Sequence, residues 1–426
     1  MKKPSLLIIF LTVFIDLIGF GIVLPLLPLF AKNLDASGLT IGVLMASYSA
    51  MQFVFAPIWG RLSDKIGRRP VLLISIAGGA VAYAIFAIGS GMTGTLALVV
   101  LFGSRMFAGI CGANITVAQA YIADISPPQD RSKRMGLIGM AFGLGFIFGP
   151  FLGGLALSQF GPTGPGWLAA GFCAANFLFA LARLRESYTP DSEPVAPRPR
   201  FGQWVHTLSQ PKIGLLVGLF FLATFCFACF ETTLGLLVSR NFDIDPMRKS
   251  DAKIVGYLFA YCGIIGALVQ GGQIGRMVKL FGEPLHISLS LVVLALGLAP
   301  MPFLHGTVPA GKEWLQGTGG IWVLFLGALA LVSIGSSLTR PPLFGMISNL
   351  TPANEQGATL GVAQGAGSLA RIFGPIFAGI FFEQHPAVPY LVCAVLSFVT
   401  GLVAWRFLHK AKPINGAEAE TRPSDK

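Results

Sequence analysis

Residues 60–70 of this chain read Gly60-Arg61-Leu62-Ser63-Asp64-Lys65-Ile66-Gly67-Arg68-Arg69-Pro70, and they separate two long apolar runs, 41–60 and 71–91. Five of these eleven residues are charged, whereas charged residues make up only 12% of the whole chain. Glycine, charge and proline in such a short stretch are typical of a turn in water. The stretch is therefore predicted to be a tight aqueous loop between two apolar helices.

The composition indicates a membrane protein. Hydrophobic residues make up 54% of the 426 residues and the mean hydropathy is +0.72, while soluble domains carry about 25% charged residues. Helices need about 20 apolar residues to cross a bilayer. On that basis we predict an all-α membrane protein with twelve spans, at 5–31, 41–60, 71–91, 95–124, 135–158, 167–184, 213–239, 254–274, 285–304, 321–348, 358–382 and 388–408.

The basic residues predict the orientation of the spans. With twelve spans, and with the span-end residues Arg183 and Arg406 counted with the adjoining loop and tail, one side of the membrane holds 21 of the 30 Lys and Arg residues and the other side holds 6. The positive-inside rule then predicts that both termini are cytoplasmic, in a multi-pass protein that we expect in a bacterial inner membrane. Because the charge of +11 flanks spans, we expect a lipid bilayer and no nucleic acid as partner. The six cysteines all lie in apolar segments, so neither a disulfide framework nor a metal site is expected.

Internal repeats predict two six-helix halves. The segment 147–154, with Gly149-Pro150, recurs at 372–379 with Gly374-Pro375, an offset of 225 residues, and 60–67 has a degenerate copy at 275–282. Halves of this kind can alternate about a central site. The predicted domains are an N-terminal half (1–184), a cytoplasmic linker (185–212), a C-terminal half (213–410) and a disordered tail (411–426).

These motifs resemble the major facilitator superfamily. The 60–70 stretch resembles its signature loop between helices 2 and 3. Segment 101–109, with Arg105 followed by glycines, resembles its helix-4 motif, and the glycines of 139–154 resemble its antiporter motif in helix 5. Within the drug/proton antiporters, Tyr121-Ile122-Ala123-Asp124 is similar to the tetracycline-resistance group. That group has an acidic residue in helix 3, where this chain has Gly79-Ala80-Val81-Ala82-Tyr83, so the drug is not carried over.

Three buried ionisable residues are candidates for proton coupling: Asp16, Arg105 and Glu231. A carboxyl group as deep as Asp16 is costly in a membrane, so it is expected to be protonated, paired or facing a wet cavity. The alternative is a static ion pair between Asp16 and Arg105. The resemblance implies a coupling role for Arg105. Glu231 lies toward the outer half of its span, so it is either a carrier or a water-exposed vestibule residue.

The expected substrate cavity lies in the second half. Arg340 is followed by Pro341-Pro342, where the helix is predicted to break, and Arg371 lies in the middle of its span. Two cationic groups in one half favour an anionic substrate over a cationic drug. The candidate cavity residues are Arg340, Gln364, Arg371, Phe227 and Phe230.

The resemblance also implies a cytoplasmic gate made of Gly60, Asp64, Gly67, Arg68, Asp124 and Arg131, which holds that side shut in the outward-open state. A solvated topology anchor is the alternative. The small residues Gly145, Gly149, Pro150 and Gly153 permit close helix packing and are expected to help spans 5 and 8 seal the cavity.

The combined prediction is a secondary transporter that exports a small amphipathic molecule in exchange for protons. The alternatives are a uniporter or symporter for a small organic anion and, with less support, a non-transporting membrane receptor. We expect no enzymatic activity and no cofactor, with H⁺ as the coupling ion. A monomer is expected.

Overall fold

The computed structural model describes residues 4–112, 114–127, 131–187, 200–245, 251–272, 274–307, 318–351 and 356–408. Every regular element in these ranges is helical. The helices are α1 (Leu6–Val23), α2 (Leu27–Asn33), α3 (Gly38–Ile66), α4 (Arg68–Ser90), α5 (Gly94–Gly112), α6 (Ile115–Asp124), α7 (Arg131–Phe160), α8 (Gly164–Arg183), α9 (Arg200–Ser209), α10 (Pro211–Asn241), α11 (Ala252–Gly272), α12 (Ile274–Leu298), α13 (Thr318–Leu350), α14 (Gln356–Gln384) and α15 (Ala387–Leu408).

The predicted fold class is confirmed. Within the described ranges, 11 helical segments are long and apolar enough to span a membrane, and Lys253–Val269 in α11 forms a shorter apolar helix at the place of the eighth span. Two of the predicted spans are each made of two helices. The first span combines α1 with α2, and the fourth combines α5 with α6. The expected tail, 411–426, and residues 188–199 of the linker lie outside the described residues, while α9 occupies the second part of the linker.

The charged stretch 60–70 is not the loop that its composition predicted. Helix α3 continues through it to Ile66 and α4 begins at Arg68, so only Gly67 interrupts the helices. Gly67 has φ +97°, a conformation that costs a residue with a Cβ about 1–2 kcal/mol. The degenerate copy behaves in the same way: α12 is helical on both sides of Gly282, which has φ +73°. In each copy, a single glycine with positive φ therefore makes the turn between the two helical segments.

The predicted break after Arg340 is wrong, because α13 runs through Pro341 and Pro342 without interruption. Pro342 lacks the N–H that would bond the carbonyl of Leu338. The His286 side chain, on the neighbouring helix α12, interacts with the backbone of Leu338. Polar groups on neighbouring helices are one reason why prolines are tolerated inside membrane helices.

The buried core differs between the two ends of the helix bundle. We call the end that carries Gly67 the linker end and the end that carries Gly38 the far end. One apolar cluster joins helices α1–α8 to helices α10–α15, and includes Leu44, Leu236 and Phe325. Two separate clusters lie within the individual sets of helices, one around Val71 and Tyr121, the other around Leu216 and Leu343.

Helix pairs α3–α14 and α7–α11 join the two sets of helices. A Cβ on Gly42 in α3 would lie 2.5 Å from the carbonyl oxygen of Pro375 in α14. A Cβ on Gly256 in α11 would also lie 2.5 Å from the carbonyl oxygen of Pro150 in α7. The repeated Gly-Pro segments therefore make matching contacts, each against a glycine that lets the backbones touch.

Candidate functional site

Asp16 lies on α1 beside a small cavity. Its Oδ2 accepts a long hydrogen bond of 3.5 Å from the side-chain nitrogen of Asn114, and the thiol of Cys173 lies 3.9 Å from Oδ1. Tyr48, Gly79 and Tyr83 also line this cavity. Two of these, Gly79 and Tyr83, come from the α4 stretch that lacks the acidic residue of tetracycline antiporters. The Asp16 carboxyl group thus lies in the space that the α4 stretch borders.

Arg105 is buried, with 1% of its surface exposed. Its guanidinium carbon lies 4.6 Å from the ring centre of Tyr48 and 5.8 Å from that of Phe20. The alternative of a static ion pair with Asp16 is not observed, because no Asp16–Arg105 contact falls within 4.0 Å. Among the described residues, none of the three guanidinium nitrogens has a hydrogen-bond partner. The arginine is therefore held by aromatic faces, which favour a cation.

Glu231 is also buried, with 6% of its surface exposed, so the vestibule alternative is wrong. Its Oε1 has no hydrogen-bond partner in the described part of the chain. The cationic groups whose fields act on it are Arg371 and Arg105. Arg105 belongs to the first set of helices and Arg371 to the second. Glu231 therefore interacts with a positively charged residue from each of the two sets of helices.

The remaining cavity candidates all lie on helices of the second set. Arg340 stacks over Phe220 at 5.5 Å and Phe344 at 5.9 Å, and its charge interacts with that of Arg371. The rings of Phe227 and Phe230 lie 5.9 Å apart. Gln364 is half-buried on the same helix as Arg371. This set combines two cations with aromatic surface, which is suited to an amphipathic ligand with a negative group.

The gate candidates meet around Arg68 at the linker end. Its guanidinium pairs with Asp64, donates to Asp124 at 3.1 Å and donates to the hydroxyl of Ser63 at 2.7 Å. The carboxylate of Glu186 accepts from the backbone N–H groups of Arg68 at 2.8 Å and Arg69 at 3.1 Å. A carboxylate at a helix N-terminus is stabilised by the free N–H groups and the helix dipole.

Two gate candidates contribute differently. Gly67 makes the turn between α3 and α4. Gly60 lies inside α3, and a Cβ there would meet nothing within 4 Å. The side chain of Arg131 lies outside the described residues.

The glycines of α7 pack mainly against α1 rather than against span 8. A Cβ on Gly149 would lie 2.5 Å from the backbone of Gly21, and one on Gly153 2.5 Å from the carbonyl oxygen of Ile22. Gly145 faces Leu17 in the same way. The contact with α11 is made instead by the carbonyl of Pro150, and by Gly154, whose added Cβ would lie 3.3 Å from the Cα of Gly256.

Sequence reasoning missed several polar residues of the site. Asn114 and Cys173 touch Asp16, and Glu186 caps α4, although none was a candidate. Glu383, at the end of α14, was also missed because the predicted span stopped at 382. For Asn114 a signal was present: Gly112 and Asn114 interrupt an apolar run, as helix breaks often do.

The fold and these buried charges define a polytopic membrane transporter. The sequence profile of the Major Facilitator Superfamily matches residues 9–316 and 274–425. The chain belongs to this family.

Known relatives agree with the resemblance seen in the motifs. The chain is 34% identical over 413 residues to the class C tetracycline resistance protein of Escherichia coli, covering 92% of this chain and 96% of the relative. It is 25% identical over 466 residues to major facilitator superfamily domain-containing protein 10 of Mus musculus, covering 96% and 94%. The resemblance to tetracycline-resistance proteins is confirmed.

A solved structure shares the fold. The crystal structure of the human organic anion transporter MFSD10 (TETRAN) matches with a TM-score of 0.67 at 24% identity, covering 95% of this chain and all of that chain. At this identity the likeness concerns the fold alone.

Proposed function

We propose that this protein is a secondary active transporter that exports small amphipathic molecules in exchange for protons. The observation that carries this proposal is Asp16, an acidic side chain inside a membrane span with no cation within 4.0 Å among the described residues. An intramembrane acid without a permanent counter-charge is suited to binding and releasing a proton. The proton is the proposed coupling ion, and no cofactor is required.

The packing of the two ends supports alternating access. At the far end a single core and the Gly42–Pro375 and Gly256–Pro150 contacts hold the two sets of helices together. At the linker end each set has its own core. If the far end separated while the linker end joined, the central charged residues would be exposed first to one side of the membrane and then to the other. The proposed units are the halves 1–184 and 213–410.

The gate residues support a proposed latch at the linker end. In this arrangement Arg68 bonds Asp64 and Asp124, all within the first set of helices. Asp64 remains largely exposed, with 62% of its side chain accessible. We propose that this carboxylate engages the second half when the linker end closes.

A second candidate function is transport of an organic anion. Arg105 favours it, because a buried guanidinium with five N–H donors and no partner in the described residues is suited to a carboxylate or phosphate. Arg340 and Arg371 add positive charge in the second half. The structurally similar human protein MFSD10 is an organic anion transporter, which supports the same candidate.

Orientation and assembly follow the charge distribution. We propose that the linker end is cytoplasmic, that both termini lie there, and that the protein acts as a monomer in a bacterial inner membrane. The excess of Lys and Arg at the linker end supports this orientation.

The deciding experiment measures proton movement in inverted membrane vesicles with a preset pH gradient. Candidate amphipathic cations and anions are added to vesicles with the native protein, with Asp16→Asn and with Arg105→Gln. Antiport predicts proton efflux coupled to substrate uptake by the native protein and none by Asp16→Asn. Equal proton movement in both would refute Asp16 as the carrier.

The same vesicles separate the two candidate functions. If the substrate is an anion held by Arg105, Arg105→Gln abolishes anion uptake even without a pH gradient. Uptake without any proton movement would refute proton coupling and favour a uniporter. Ligand binding without flux would indicate a receptor.

A further inference from the structure

The fourth span is broken beside Asp16. Helix α5 ends at Gly112 and α6 begins at Ile115, although the sequence predicted one uninterrupted span over 95–124. A break in hydrocarbon leaves backbone carbonyls without their helical partners, and each unsatisfied group is costly there. Such a break persists only where other groups take over these hydrogen bonds.

Three side chains from neighbouring helices donate to the last carbonyls of α5, and the carbonyl of Cys111 also accepts from the backbone N–H of Asn114 at 3.4 Å. Trp59 Nε1 donates to the carbonyl of Ile110 at 2.6 Å, and Gln52 Nε2 donates to that of Gly112 at 3.0 Å. The hydroxyl of Ser75 donates to the carbonyl of Cys111. Because three consecutive carbonyls each accept from a side chain, and the three donors come from two separate helices, the fold specifically stabilises this helix end.

The small residue at the break is also required. A Cβ on Gly112 would lie 2.9 Å from Cζ of Tyr48, and a Cβ on Gly109 would lie 2.9 Å from the Cα of the same tyrosine. Tyr48 therefore packs directly on the backbone at the break, and the guanidinium of Arg105 stacks on its ring. The Tyr48 side chain thus contacts the backbone at the break, stacks with Arg105 and lines the Asp16 cavity.

The break places Asn114 against Asp16. Asn114 is the residue before α6 and its carbonyl accepts the first hydrogen bond of that helix, from Ala118 at 2.9 Å. Its side chain is buried, with 6% of its surface exposed, and its amide nitrogen lies 3.5 Å from Oδ2 of Asp16.

We propose that Asn114 is a positioning residue for the proton site at Asp16, presented by the built break in span 4. An amide has both donors and an acceptor. Its NH₂ group donates to the ionised carboxylate, and its oxygen, after rotation of the amide, accepts from the protonated carboxyl. Asn114 thus holds Asp16 in one orientation in both protonation states. The inference rests on Asp16 as the proton carrier of the proposed function.

The other groups around Asp16 do not replace Asn114. Tyr48, Tyr83, Cys111 and Cys173 face the carboxyl from α3, α4, α5 and α8. Arg105 stacks on the ring of Tyr48, which lines this cavity, and makes no ion pair with Asp16. The amide is the strongest neutral hydrogen-bond donor that contacts the carboxylate among the described residues.

The test compares Asn114→Leu, which keeps the shape and removes the amide, with Asn114→Gln, which keeps the amide. The carbonyl infrared band of protonated Asp16 is assigned by its loss in Asp16→Asn and followed against pH in reconstituted protein. Because one hydrogen bond to a charged group is removed, we expect the midpoint in Asn114→Leu to move to higher pH by about one unit. Asn114→Gln restores at least half of the shift.

Trp59→Phe is the matched control for the break itself. It removes the donor to Ile110 without touching Asp16, so a lower melting temperature with an unchanged midpoint is expected. If Asp16 titrates but Asn114→Leu leaves its midpoint unchanged, the positioning role is wrong while the proposed function stands. If Trp59→Phe shifts the midpoint as much as Asn114→Leu, the effect is structural and the role is also wrong. If no carbonyl band is lost in Asp16→Asn at any pH, the positioning role and the proposed function are both wrong.

Discussion

The backbone N–H of Gly38 donates to Oε2 of Glu383 at 2.6 Å, so the carboxylate that ends α14 caps the first turn of α3. The two residues lie 345 positions apart and on opposite sides of the contact between the two sets of helices. Since free N–H groups and the helix dipole both attract a carboxylate, this hydrogen bond stabilises the closed far end.

We therefore expect Glu383→Ala to weaken closure of the far end. The loss of an exposed charge at a helix N-terminus is worth about 1 kcal/mol, or roughly a fivefold change in the ratio of closed to open molecules. Spin labels at Lys32 and Gln384, measured by pulsed electron resonance, report the distance across the far end. Glu383→Gln keeps a hydrogen-bond acceptor, so its label distances are expected to lie between those of the native protein and those of Glu383→Ala. Identical distance distributions in all three proteins would contradict the capping role.

The two glycines that touch Gly-Pro carbonyls give a second prediction. Gly42→Ala and Gly256→Ala each place a methyl group 2.5 Å from a carbonyl oxygen, an overlap that costs about 1–3 kcal/mol in a packed interface. Both variants are expected to hold the far end apart in the label measurement and to slow transport. Gly327→Ala is the control, because a Cβ there meets nothing within 4 Å. Normal closure in both variants would refute the contact.

A third prediction separates the two glycines of the charged stretch. Gly67→Ala forces an alanine to φ +97° and brings its Cβ to 2.5 Å from Glu186, so we expect a loss of about 1–3 kcal/mol. Gly60→Ala lies inside a helix with open space around it and is expected to stabilise α3 by about 0.5–1 kcal/mol. Thermal unfolding of the purified variants measures both effects. Equal melting temperatures would show that positive φ does not matter at Gly67.

A fourth prediction concerns Arg68. Its Nη1 contacts Ser63 and Asp64 while its Nε donates to Asp124, a spread of donors over a planar group that a single ammonium group cannot match. We expect Arg68→Lys to destabilise the linker end by about 1–3 kcal/mol. Thermal unfolding and the transport rate are the measurements.

Arg69→Lys is the neighbouring control for this network. The side chain of Arg69 donates to one carbonyl, that of Leu181, at 2.9 Å, and a lysine can keep that bond. A loss of stability as large in Arg69→Lys as in Arg68→Lys would contradict the network.

The amino-acid sequence was sufficient for the fold class, because blocks of about 20 apolar residues have few stable alternatives to membrane-spanning helices. It also identified Asp16, Arg105 and Glu231, since ionisable residues are conspicuous in such blocks. It failed at Gly60–Pro70 and at Pro341–Pro342, where composition predicts breaks and the helices continue. Local propensity was overridden there by partners from distant parts of the chain, such as Glu186 at the start of α4 and His286 beside Leu338.

Sequence alone determined that this chain spans the membrane repeatedly, carries paired Gly-Pro segments and places three ionisable residues within its predicted spans. Only the tertiary structure decided that Asp16 faces Asn114 instead of Arg105, and that Glu231 is buried. The physical reason is that hydropathy acts along each segment, whereas a buried charge is satisfied by groups that adjacent helices bring to it. Asn114 contacts Asp16 from the end of a helix whose last carbonyls accept hydrogen bonds from three side chains on α3 and α4.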